Sequence, residues 1–593
     1  GSQMNGSKVV IQQVAPSSSS SSSGSDSKEE TTTAKNSSSK KSDTAEPETK
    51  AVTKMGASSQ TSLTGVSVHD PSIFKDKDGT YYVFGSHLAQ ASSKDLIKWS
   101  CLGTQGYTNS SLYGPLADSL AESFAWAGLN DEDQKGGYAV WAPDITYNEN
   151  YVWEDGSKGA YMMYYCTSST AFRSCIGYAV CKNVDGPYTY VDTLIYSGFT
   201  KTSNPVTTTS NNMGTKTVDT WYTNTNIVDV YKTATQKTDI SVDDLSSDYF
   251  NGNNYNTNLY PNAIDPAIFY DKDGGMWMAY GSWSGGIYLL ELDPATGQAI
   301  HPTASAKDGN VITDIYFGKK IAGGYGQSGE GPYVIYDKDT GYYYLYMSYG
   351  YLTANQGYNI RMFRSENPDG PYVDAAGKEA TWGSSGHNGI GVKVLGSYNL
   401  PCLAYKYMAP GHNSALIDDD KMFLVYHQRF STGNEGHELR VHQMLMNENG
   451  WPCVLPYEYT GETVADGYKK DEVAGTYYMI KQDPNDNTSA VEYNAVALND
   501  DGTYSITAKT EAFKKYLKYC NDLYQKGYIN ADNFSWESAD AQSAMSSGKA
   551  FARVGNTQGT ASDILTGLKD IEPDAEIYQM KPLSDDKLIN SEI

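Results

Sequence analysis

The sequence predicts an all-β fold, a five-bladed β-propeller, followed by a short β segment and a small helical C-terminal region. Five stretches repeat one pattern, in which a strand of aromatic and β-branched residues runs into an acidic turn and then into a second strand rich in Tyr and Met. These stretches are residues 71–86, 141–165, 266–283, 332–349 and 414–430. Three of the turns are nearly identical, and Asp and Gly tolerate the left-handed backbone that a tight turn needs. Repeated units of several strands are typical of propellers, in which the innermost strand of each blade borders a central channel.

Residues 1–59 differ from the repeats in composition. They are rich in Ser, Thr, Lys and Glu and have almost no large apolar side chains, so they cannot bury enough surface to offset the entropy of the chain. We therefore expect a disordered tether. Residues 1–4 resemble a remnant of cloning, and we expect any export signal to have been removed. A Ser-rich spacer before a folded domain favours an extracellular protein or one anchored at the cell surface by a lipid or the wall.

The repeats assign residues 60–461 to the propeller. A polar insertion at residues 197–260 precedes the third repeat, where we expect a loop or small hairpins near the groove. Residues 462–508 contain strand-like stretches, and this segment resembles part of a β-barrel-like module. Residues 509–593 are different in kind, because their apolar side chains recur at helical spacing. We expect this last segment to be helical.

Composition narrows the classes of partner. The 593 residues carry a formal charge of -25 and a pI of about 4.7, which argues against nucleic acid or an anionic membrane as a partner. The 50 Tyr and 10 Trp residues provide flat surfaces on which sugar rings can stack, although we expect most of them to pack within strands. No apolar run is long enough to span a membrane. The seven cysteines are an odd number without close pairs, so neither a disulfide framework nor a zinc site is indicated.

Three acidic motifs open repeats and carry Asp70, Asp265 and Glu330. An Asp-Pro or Gly-Pro dipeptide by itself indicates only a turn. Three carboxylates at equivalent points of a radial fold would converge on the channel. Cleavage of a glycosidic bond by single displacement needs a carboxylate that deprotonates water and a carboxylic acid that protonates the leaving oxygen, about 6.5–9.5 Å apart. The residues by themselves leave open which carboxylate has which role.

Residues 66–461 resemble glycoside hydrolase family 43 and, within it, the endo-α-1,5-L-arabinanases. The motifs that carry the resemblance are Val68-His69-Asp70-Pro71-Ser72, Trp141-Ala142-Pro143-Asp144, Asn262-Ala263-Ile264-Asp265-Pro266, Gly281-Ser282-Trp283-Ser284-Gly285, Gly329-Glu330-Gly331-Pro332 and Ala409-Pro410-Gly411-His412-Asn413. The resemblance implies a five-bladed propeller that hydrolyses arabinan, a side chain of pectin, with inversion. It implies Asp70 as the general base, Glu330 as the general acid, and Asp265 as a third carboxylate that raises the pKa of Glu330 and orients it.

The resemblance also implies a calcium ion held by His412 and water molecules, although a lone His in a strand-rich protein is more often a hydrogen-bonded core residue. Among the substrate contacts it suggests, Trp141 stacks on a sugar ring and Asp144 binds a hydroxyl. Gly177 lets the backbone approach the substrate. Packing within the blade is an equally open interpretation for Trp141 and Gly177. The remaining substrate-binding residues that it suggests are Asn262, Ala263, Ile264, Ser282, Trp283 and Ser284.

Alternatives from other classes stay open. An exo-acting β-xylosidase or α-L-arabinofuranosidase of the same family shares the three acids, and a related five-bladed family cleaves fructans through a covalent aspartate with retention. The segment at residues 509–593 resembles part of the solute-binding proteins of sugar ABC transporters. Together with the tether, that segment allows a third reading, a non-catalytic carbohydrate-binding protein at the cell surface. We expect a monomer.

Overall fold

The computed structural model describes residues 8–13, 64–103, 106–129, 138–168, 172–210, 214–384, 389–401, 403–461, 474–485, 490–498, 504–505, 511–529, 538–547, 549 and 561–574. The chain divides into two compact units, Gly1–Tyr504 and Ser505–Ile593. The described part of the first unit is mostly β-structure, and that of the second is mostly helical.

Five antiparallel sheets in the first unit form the blades of a propeller, as the repeats predict. Blade 1 contains Ser72–Lys75, Tyr81–Gly85, Ala89–Ser93 and Trp99–Cys101. Blade 2 contains Val140–Val152, Lys158–Ser168, Ser174–Cys181 and Thr189–Tyr196. Blade 3 contains Ala267–Tyr270, Met276–Ser282, Gly286–Leu292 and Gly318–Ala322, and extends through Val311–Asp314 and Ala306–Asp308, with Ala299–Ile300 at its side. Blade 4 contains Glu330–Asp337, Tyr342–Tyr349, Asn359–Ser365 and Val392–Leu395. Blade 5 contains Tyr407–Asp418, Lys421–Phe430, His437–Met446 and Pro452–Val454.

The blades close into a ring because both faces of each sheet are apolar. In blade 4, Tyr344 and Tyr346 pack towards blade 5, whereas Tyr343 and Leu345 pack towards blade 3. Successive side chains of a strand point to opposite faces, so one strand supplies the core on both of its sides. Five such core clusters lie between neighbouring blades. The first strands of the five blades contact one another in a closed circle and enclose the channel.

Backbone hydrogen bonds complete the seam between blades 5 and 1. The N–H of Leu439 in blade 5 donates to the carbonyl of Val66 at 3.0 Å, and the N–H of Trp99 in blade 1 donates to the carbonyl of Thr64 at 3.2 Å. The Thr64 hydroxyl donates to the carbonyl of Leu439 at 2.8 Å. The segment that precedes blade 1 therefore joins the first blade to the last.

Smaller elements surround the ring. Three hairpins are formed by Asn109–Ser110 with Gly114–Pro115, Pro205–Ser210 with Gly214–Asp219, and Phe250–Asn251 with Asn254–Tyr255. Helices of this unit are Leu116–Ser119, Ala121–Ala127 and Ile227–Thr235, with short 3-10 turns at Ser86–Leu88, Tyr222–Asn224, Val242–Asp244 and Ser247–Tyr249. The predicted insertion thus contains hairpins and also a helix, whose buried Ile227 and Tyr231 pack on the core between blades 2 and 3.

A separate four-stranded sheet is formed mainly by the segment that follows the propeller in sequence. The strand Gly475–Gln482 pairs with Lys8–Gln13 on one side and Asn494–Leu498 on the other, and Tyr504–Ser505 completes the sheet. The strand Lys8–Gln13 lies in the segment for which composition predicts disorder. It differs from its surroundings because Val9, Val10 and Ile11 are β-branched residues that suit a strand. The rest of that segment lies outside the described residues.

The second unit contains the helices Glu511–Gln525, Ser538–Ser546 and Ala561–Lys569, in agreement with the helical spacing of its apolar residues. Within the described part of the chain, no helix combines the length and apolar character needed to cross a membrane. Five of the cysteines, Cys101, Cys166, Cys175, Cys181 and Cys453, are free thiols. Cys402 lies outside the described residues.

Candidate active site

Each blade begins with a residue that precedes proline and has left-handed backbone. These residues are Asp70 (φ 54°), Ala142 (φ 33°), Asp265 (φ 56°), Gly331 (φ 57°) and Ala409 (φ 47°). A non-glycine residue in this conformation costs about 1–3 kcal/mol and is characteristic of functional sites. Asp70 and Asp265 therefore occupy equivalent positions, as predicted. Glu330 does not, because it lies one residue before the equivalent Gly331.

The blade entrances meet in one cavity at the centre of the ring. Its lining comes from all five blades and consists of Asp70, Pro71, Ser72, Ala142, Pro143, Asp144, Pro266, Ala267, Pro332, Tyr333, His412 and Asn413. Residues that are hundreds of positions apart in sequence thus share one buried site.

Asp70 is surrounded by hydrogen-bond donors. One oxygen, Oδ2, accepts from His69 Nδ1 at 2.8 Å and from the Ser86 hydroxyl, and the other, Oδ1, lies 3.1 Å from His412 Nδ1. Burial by itself would raise the pKa of Asp70, but attraction and hydrogen bonds from His69 and His412 hold that pKa well below its ordinary value. Asp70 is therefore an ionised carboxylate, and its three donors leave about one of its four acceptor positions free.

Glu330 has different partners. Its Oε1 accepts from the Tyr358 hydroxyl at 2.7 Å and its Oε2 from the Ser282 hydroxyl at 3.2 Å. Burial raises the pKa of Glu330 although these two hydrogen bonds oppose the shift. Since neither partner carries a charge, Glu330 keeps its proton to a higher pH than an exposed glutamate does.

The pKa of Asp265 is affected by both of these carboxyl groups and by His412. Its Oδ2 accepts from the backbone N–H of Gly331 at 3.3 Å. Burial raises the pKa of Asp265 to about 7; attraction to His412 opposes the shift, and repulsion from Glu330 and Asp70 adds to it. The site therefore contains one carboxylate that is held ionised and two whose pKa values are raised.

His412 joins the carboxylates and could also serve a metal ion. Burial would lower its pKa, but Asp70 and Asp265 raise the pKa to about 9. A histidine that binds a metal usually donates its other ring N–H to a carboxylate. The contact of Nδ1 with Asp70 fits that arrangement and leaves Nε2 as the nitrogen for a metal. Donor atoms of His69, Asp70 and His427 also lie within 4.8 Å of one another, close enough to hold a metal ion.

Asp144 lies in the channel, but its carboxylate is engaged in packing. Its Oδ1 accepts from the Ser72 hydroxyl of blade 1, and its Oδ2 accepts from the backbone N–H of Ile268 of blade 3 at 2.6 Å. Burial raises the pKa of Asp144 to about 6, although both hydrogen bonds oppose this. Asp144 therefore connects three consecutive blades.

Gly177 and Trp141 lie at packing positions in blade 2. A Cβ atom on Gly177 would lie 2.7 Å from the Tyr165 hydroxyl and 3.1 Å from Ser123 Oγ, so glycine is needed for the close approach of protein groups. Trp141 is half-buried against the core between blades 2 and 3. For both residues the structure supplies a packing reason.

The three residues before Asp265 are fixed by hydrogen bonds to neighbouring segments. The Ser197 hydroxyl donates to Asn262 Oδ1 at 3.1 Å and accepts from the N–H of Ala263 at 2.9 Å. The carbonyl of Ile264 accepts from the N–H of Gly281 at 2.9 Å. These contacts fix the turn on which Asp265 sits.

The motif after the second strand of blade 3 reaches the site through Ser282, which contacts Glu330. Next to it, the ring of Trp283 lies 4.8 Å from the ring of Tyr351, which is 59% exposed. Ser284 is buried. An open aromatic surface therefore lies beside the proposed acid.

Sequence reasoning missed several groups around the carboxylates. His69, Ser86, Tyr358 and His427 lie beside Asp70 or Glu330, and Arg429 contacts His69. His69 is part of the His-Asp-Pro motif and could have been considered there. Tyr358 comes from a loop of blade 4 without a sequence pattern. A Cβ on the neighbouring Gly411 would lie 1.9 Å from the Tyr358 ring, so a small residue on blade 5 makes room for it.

Comparisons with known proteins agree with this geometry. The model of the family "Glycosyl hydrolases family 43" matches residues 240–452. An extracellular endo-α-(1→5)-L-arabinanase of Bacillus subtilis is 35% identical over 514 residues, which are 84% of this chain and 92% of that protein. An extracellular endo-α-(1→5)-L-arabinanase of Thermotoga petrophila is 36% identical over 456 residues, which are 75% and 81% of the two chains.

Structural similarity leads to the same group. The crystal structure of an endo-1,5-α-L-arabinanase from Thermotoga petrophila superimposes with a TM-score of 0.57 at 33% identity, over 74% of this chain and 85% of that one. None of these matches supports the predicted likeness of residues 509–593 to a transporter protein.

Proposed function

This chain belongs to glycosyl hydrolase family 43, and from that membership we propose that Asp70, Glu330 and Asp265 hydrolyse arabinan in the channel by inversion. Its activity is that of an endo-α-(1→5)-L-arabinanase, the activity for which its relatives from Bacillus subtilis and Thermotoga petrophila are named. The observation that carries the mechanism is the separation of the carboxylates into one that is ionised and two whose pKa values are raised. A single displacement needs such an unequal pair.

Asp70 acts as the general base. It takes a proton from a water molecule through the acceptor position that His69, Ser86 and His412 leave free, and the water oxygen forms a bond with the anomeric carbon. Glu330 acts as the general acid and gives its proton to the glycosidic oxygen as the bond between that oxygen and the anomeric carbon breaks. The products are two shorter arabinan chains, and the anomeric configuration is inverted. We propose that Asp265 modulates the pKa of Glu330 and orients it, while repulsion from the ionised Asp70 helps Glu330 to stay protonated.

His412 is proposed as the residue that holds a calcium ion together with water molecules. When bound, such an ion supplies positive charge near the three carboxylates and orders water around them. His412 itself contributes by donating to Asp70 through Nδ1. Because calcium normally prefers oxygen ligands, one imidazole with water gives a weak site.

The calcium proposal is tested by the effect of the ion on stability. Calcium should raise the melting temperature of the wild-type protein after treatment with a chelator, because a ligand that binds only the folded state stabilises it. The same addition should have no effect on His412→Ala. An equal shift in both proteins would place the ion elsewhere, and no shift in the wild type would count against any calcium site.

The Trp283 and Tyr351 rings are proposed to stack on arabinose units beside the cleaved bond, and Ser282 to orient Glu330. The polymeric substrate and the extracellular relatives favour action outside the cell. We further propose that the chain acts as a monomer and that the Ser-rich part of its first 59 residues serves as a tether to a lipid or the wall.

The products released from linear α-1,5-arabinan distinguish an endo-acting enzyme from the alternative functions. The wild type should release a ladder of oligosaccharides, and Glu330→Gln should release far less, because the near-isosteric amide has no proton to give. Arabinose as the sole product would indicate an exo-acting enzyme. Retained configuration in the first product, measured by NMR, would contradict inversion. Binding without cleavage would favour the non-catalytic reading.

A further inference from the structure

We propose that Arg429 is a positioning residue for the base: its guanidinium fixes His69 in the tautomer that donates a hydrogen bond to Asp70. The inference rests on the proposed role of Asp70 and extends it by two residues that do not touch the reacting atoms. It is carried by the direction of each hydrogen bond around the base.

The guanidinium of Arg429 is held rigidly inside the protein. Its side chain is 5% exposed. Its Nε donates to the carbonyl of Leu352 at 2.6 Å and its Nη1 to the carbonyl of Glu435 at 2.8 Å. These contacts attach it to a loop of blade 4 and a loop of blade 5. The remaining amino group, Nη2, lies 3.2 Å from His69 Nε2.

The contact between Arg429 and His69 has one direction only. A guanidinium has five N–H donors and no acceptor, so His69 Nε2 must accept. In a neutral imidazole one nitrogen accepts and the other carries the hydrogen. The hydrogen of His69 is therefore on Nδ1, which lies 2.8 Å from Asp70 Oδ2 and donates to it.

In the two neighbouring histidines, Nδ1 accepts a hydrogen bond instead of donating one. His437 Nδ1 lies 3.4 Å from Arg429 Nη1 and must accept from it. His427 Nδ1 accepts from the backbone N–H of Asp70 at 3.3 Å, so the same nitrogen cannot donate to the carboxylate, whose Oδ1 is 3.7 Å away. Of these three rings, His69 alone directs a hydrogen at Asp70.

Stacking keeps the His69 ring in its plane. Its centroid lies 3.9 Å from that of His427, with 19° between the planes, and 4.9 Å from that of His437 at 79°. The ring thus has little freedom to flip. If the hydrogen moved to Nε2, a lone pair on Nδ1 would face the Asp70 carboxylate, and the carboxylate would turn away from its catalytic orientation.

This arrangement also bears on a metal at His69. Both of its ring nitrogens are engaged, one with Arg429 and one with Asp70. A metal ion bound through Nδ1 would require that nitrogen to lose its hydrogen. The two arrangements are therefore mutually exclusive and can be distinguished by spectroscopy.

A double-mutant cycle on kcat tests the proposal. Arg429→Met removes the donors at similar length and should lower kcat by about 10–100-fold with little change in KM, as expected for a loss of orientation around a base. Arg429→Lys keeps a donor and should lose less. His69→Asn places an amide N–H near the position of Nδ1, and this amide needs no tautomer. In that background Arg429→Met should therefore have little further effect.

Two outcomes would overturn the proposal. If Arg429→Met lowers kcat equally in the presence of His69 and of Asn at that position, Arg429 acts through its loop contacts alone. If ¹⁵N NMR of the wild type, with His69 identified by the loss of its signals in His69→Asn, shows the hydrogen on Nε2 or none on Nδ1, the tautomer is not the one inferred. This second measurement does not depend on whether Arg429→Met folds.

Failure of the proposed function would give a different result. Asp70→Asn should lower kcat by about 10²–10⁴-fold if Asp70 is the base. If that variant stays active, the role of Asp70 is wrong whatever the tautomer of His69. If it is inactive and the cycle is additive, only the role of Arg429 is wrong.

Discussion

At the scale of single residues, two buried carboxylates acquire different protonation from their neighbours. Asp70 contacts imidazole N–H groups, which stabilise the ionised form, whereas Glu330 contacts the uncharged hydroxyls of Tyr358 and Ser282. Burial by itself would raise the pKa of both. The assignment of base and acid therefore depends on hydrogen-bond partners that come from other parts of the chain.

The hydroxyl of Tyr358 provides a test at this scale. Its hydrogen bond lowers the pKa of Glu330 against the larger effect of burial, which raises it. Tyr358→Phe should therefore raise the pKa of Glu330 further. Because the acid must be protonated, the alkaline limb of the kcat/KM profile should move to higher pH. Tyr405→Phe, which alters a 55% exposed ring in the segment before blade 5, is the matched control. A limb that moves to lower pH would contradict the assignment of Glu330 as the acid.

At the scale of elements, the innermost strands are joined by polar contacts beneath the site. Asp144 in blade 2 accepts hydrogen bonds from Ser72 in blade 1 and from Ile268 in blade 3. Ser72 and Ile268 follow Asp70 and Asp265 by two and three residues along the chain. The spacing of these strands is thus coupled to the spacing of the two proposed catalytic carboxylates.

Asp144→Ala should destabilise the propeller by about 1–3 kcal/mol, because it leaves a buried N–H and a buried hydroxyl without their acceptor. The loss should depend on pH. The folded-state pKa of Asp144 is raised from 3.8 to about 6, so its ionisation opposes folding and its contribution shrinks as pH rises from about 4 to about 6. Denaturant unfolding at both pH values measures this. Asp420→Ala, in an exposed turn of blade 5, should change stability by less than about 0.5 kcal/mol.

At the scale of the whole molecule, the ring is closed without a disulfide among the described cysteines. The seam between blades 5 and 1 consists of an apolar cluster and the backbone hydrogen bonds of residues 64–66. Every neighbouring pair of blades shares a core cluster. A substitution that weakens the seam should therefore destabilise the entire ring and the channel that it encloses.

Leu439→Ala tests the contribution of the seam. Leu439 is fully buried between blades 5 and 1, and its truncation should cost about 2–5 kcal/mol. Hydrolysis activity after equilibration in denaturant should be lost at a lower denaturant concentration than in the wild type. Leu517→Ala, at a 50% exposed position of the second unit, should not shift this midpoint. An equal shift in both variants would show that the assay does not report on the ring.

How far the sequence predicts the site differs from residue to residue. Asp70 and Asp265 each stand before a proline at the start of a repeat, which the sequence shows, whereas their left-handed backbone is seen only in the structure. Glu330 follows the same pattern only with an offset of one residue, which strand-repeat matching does not detect. Asp144 accepts hydrogen bonds from Ser72 and Ile268, and a Cβ on Gly177 would meet Tyr165, so both have a packing role. Their contacts with substrate stay predictions.

The sequence by itself determined the five repeats and the acidic turns between their strands, and it predicts the three carboxylates. These features depend on the order of residues over short distances, where side-chain alternation and turn chemistry are local. Only the tertiary structure decided the partners of those carboxylates. His69 precedes Asp70 in the chain, whereas Tyr358 and His412 reach the acids, and Arg429 reaches His69, only when the ring closes. Protonation depends on such contacts through burial, charge and hydrogen-bond direction, none of which is encoded in a short stretch of chain.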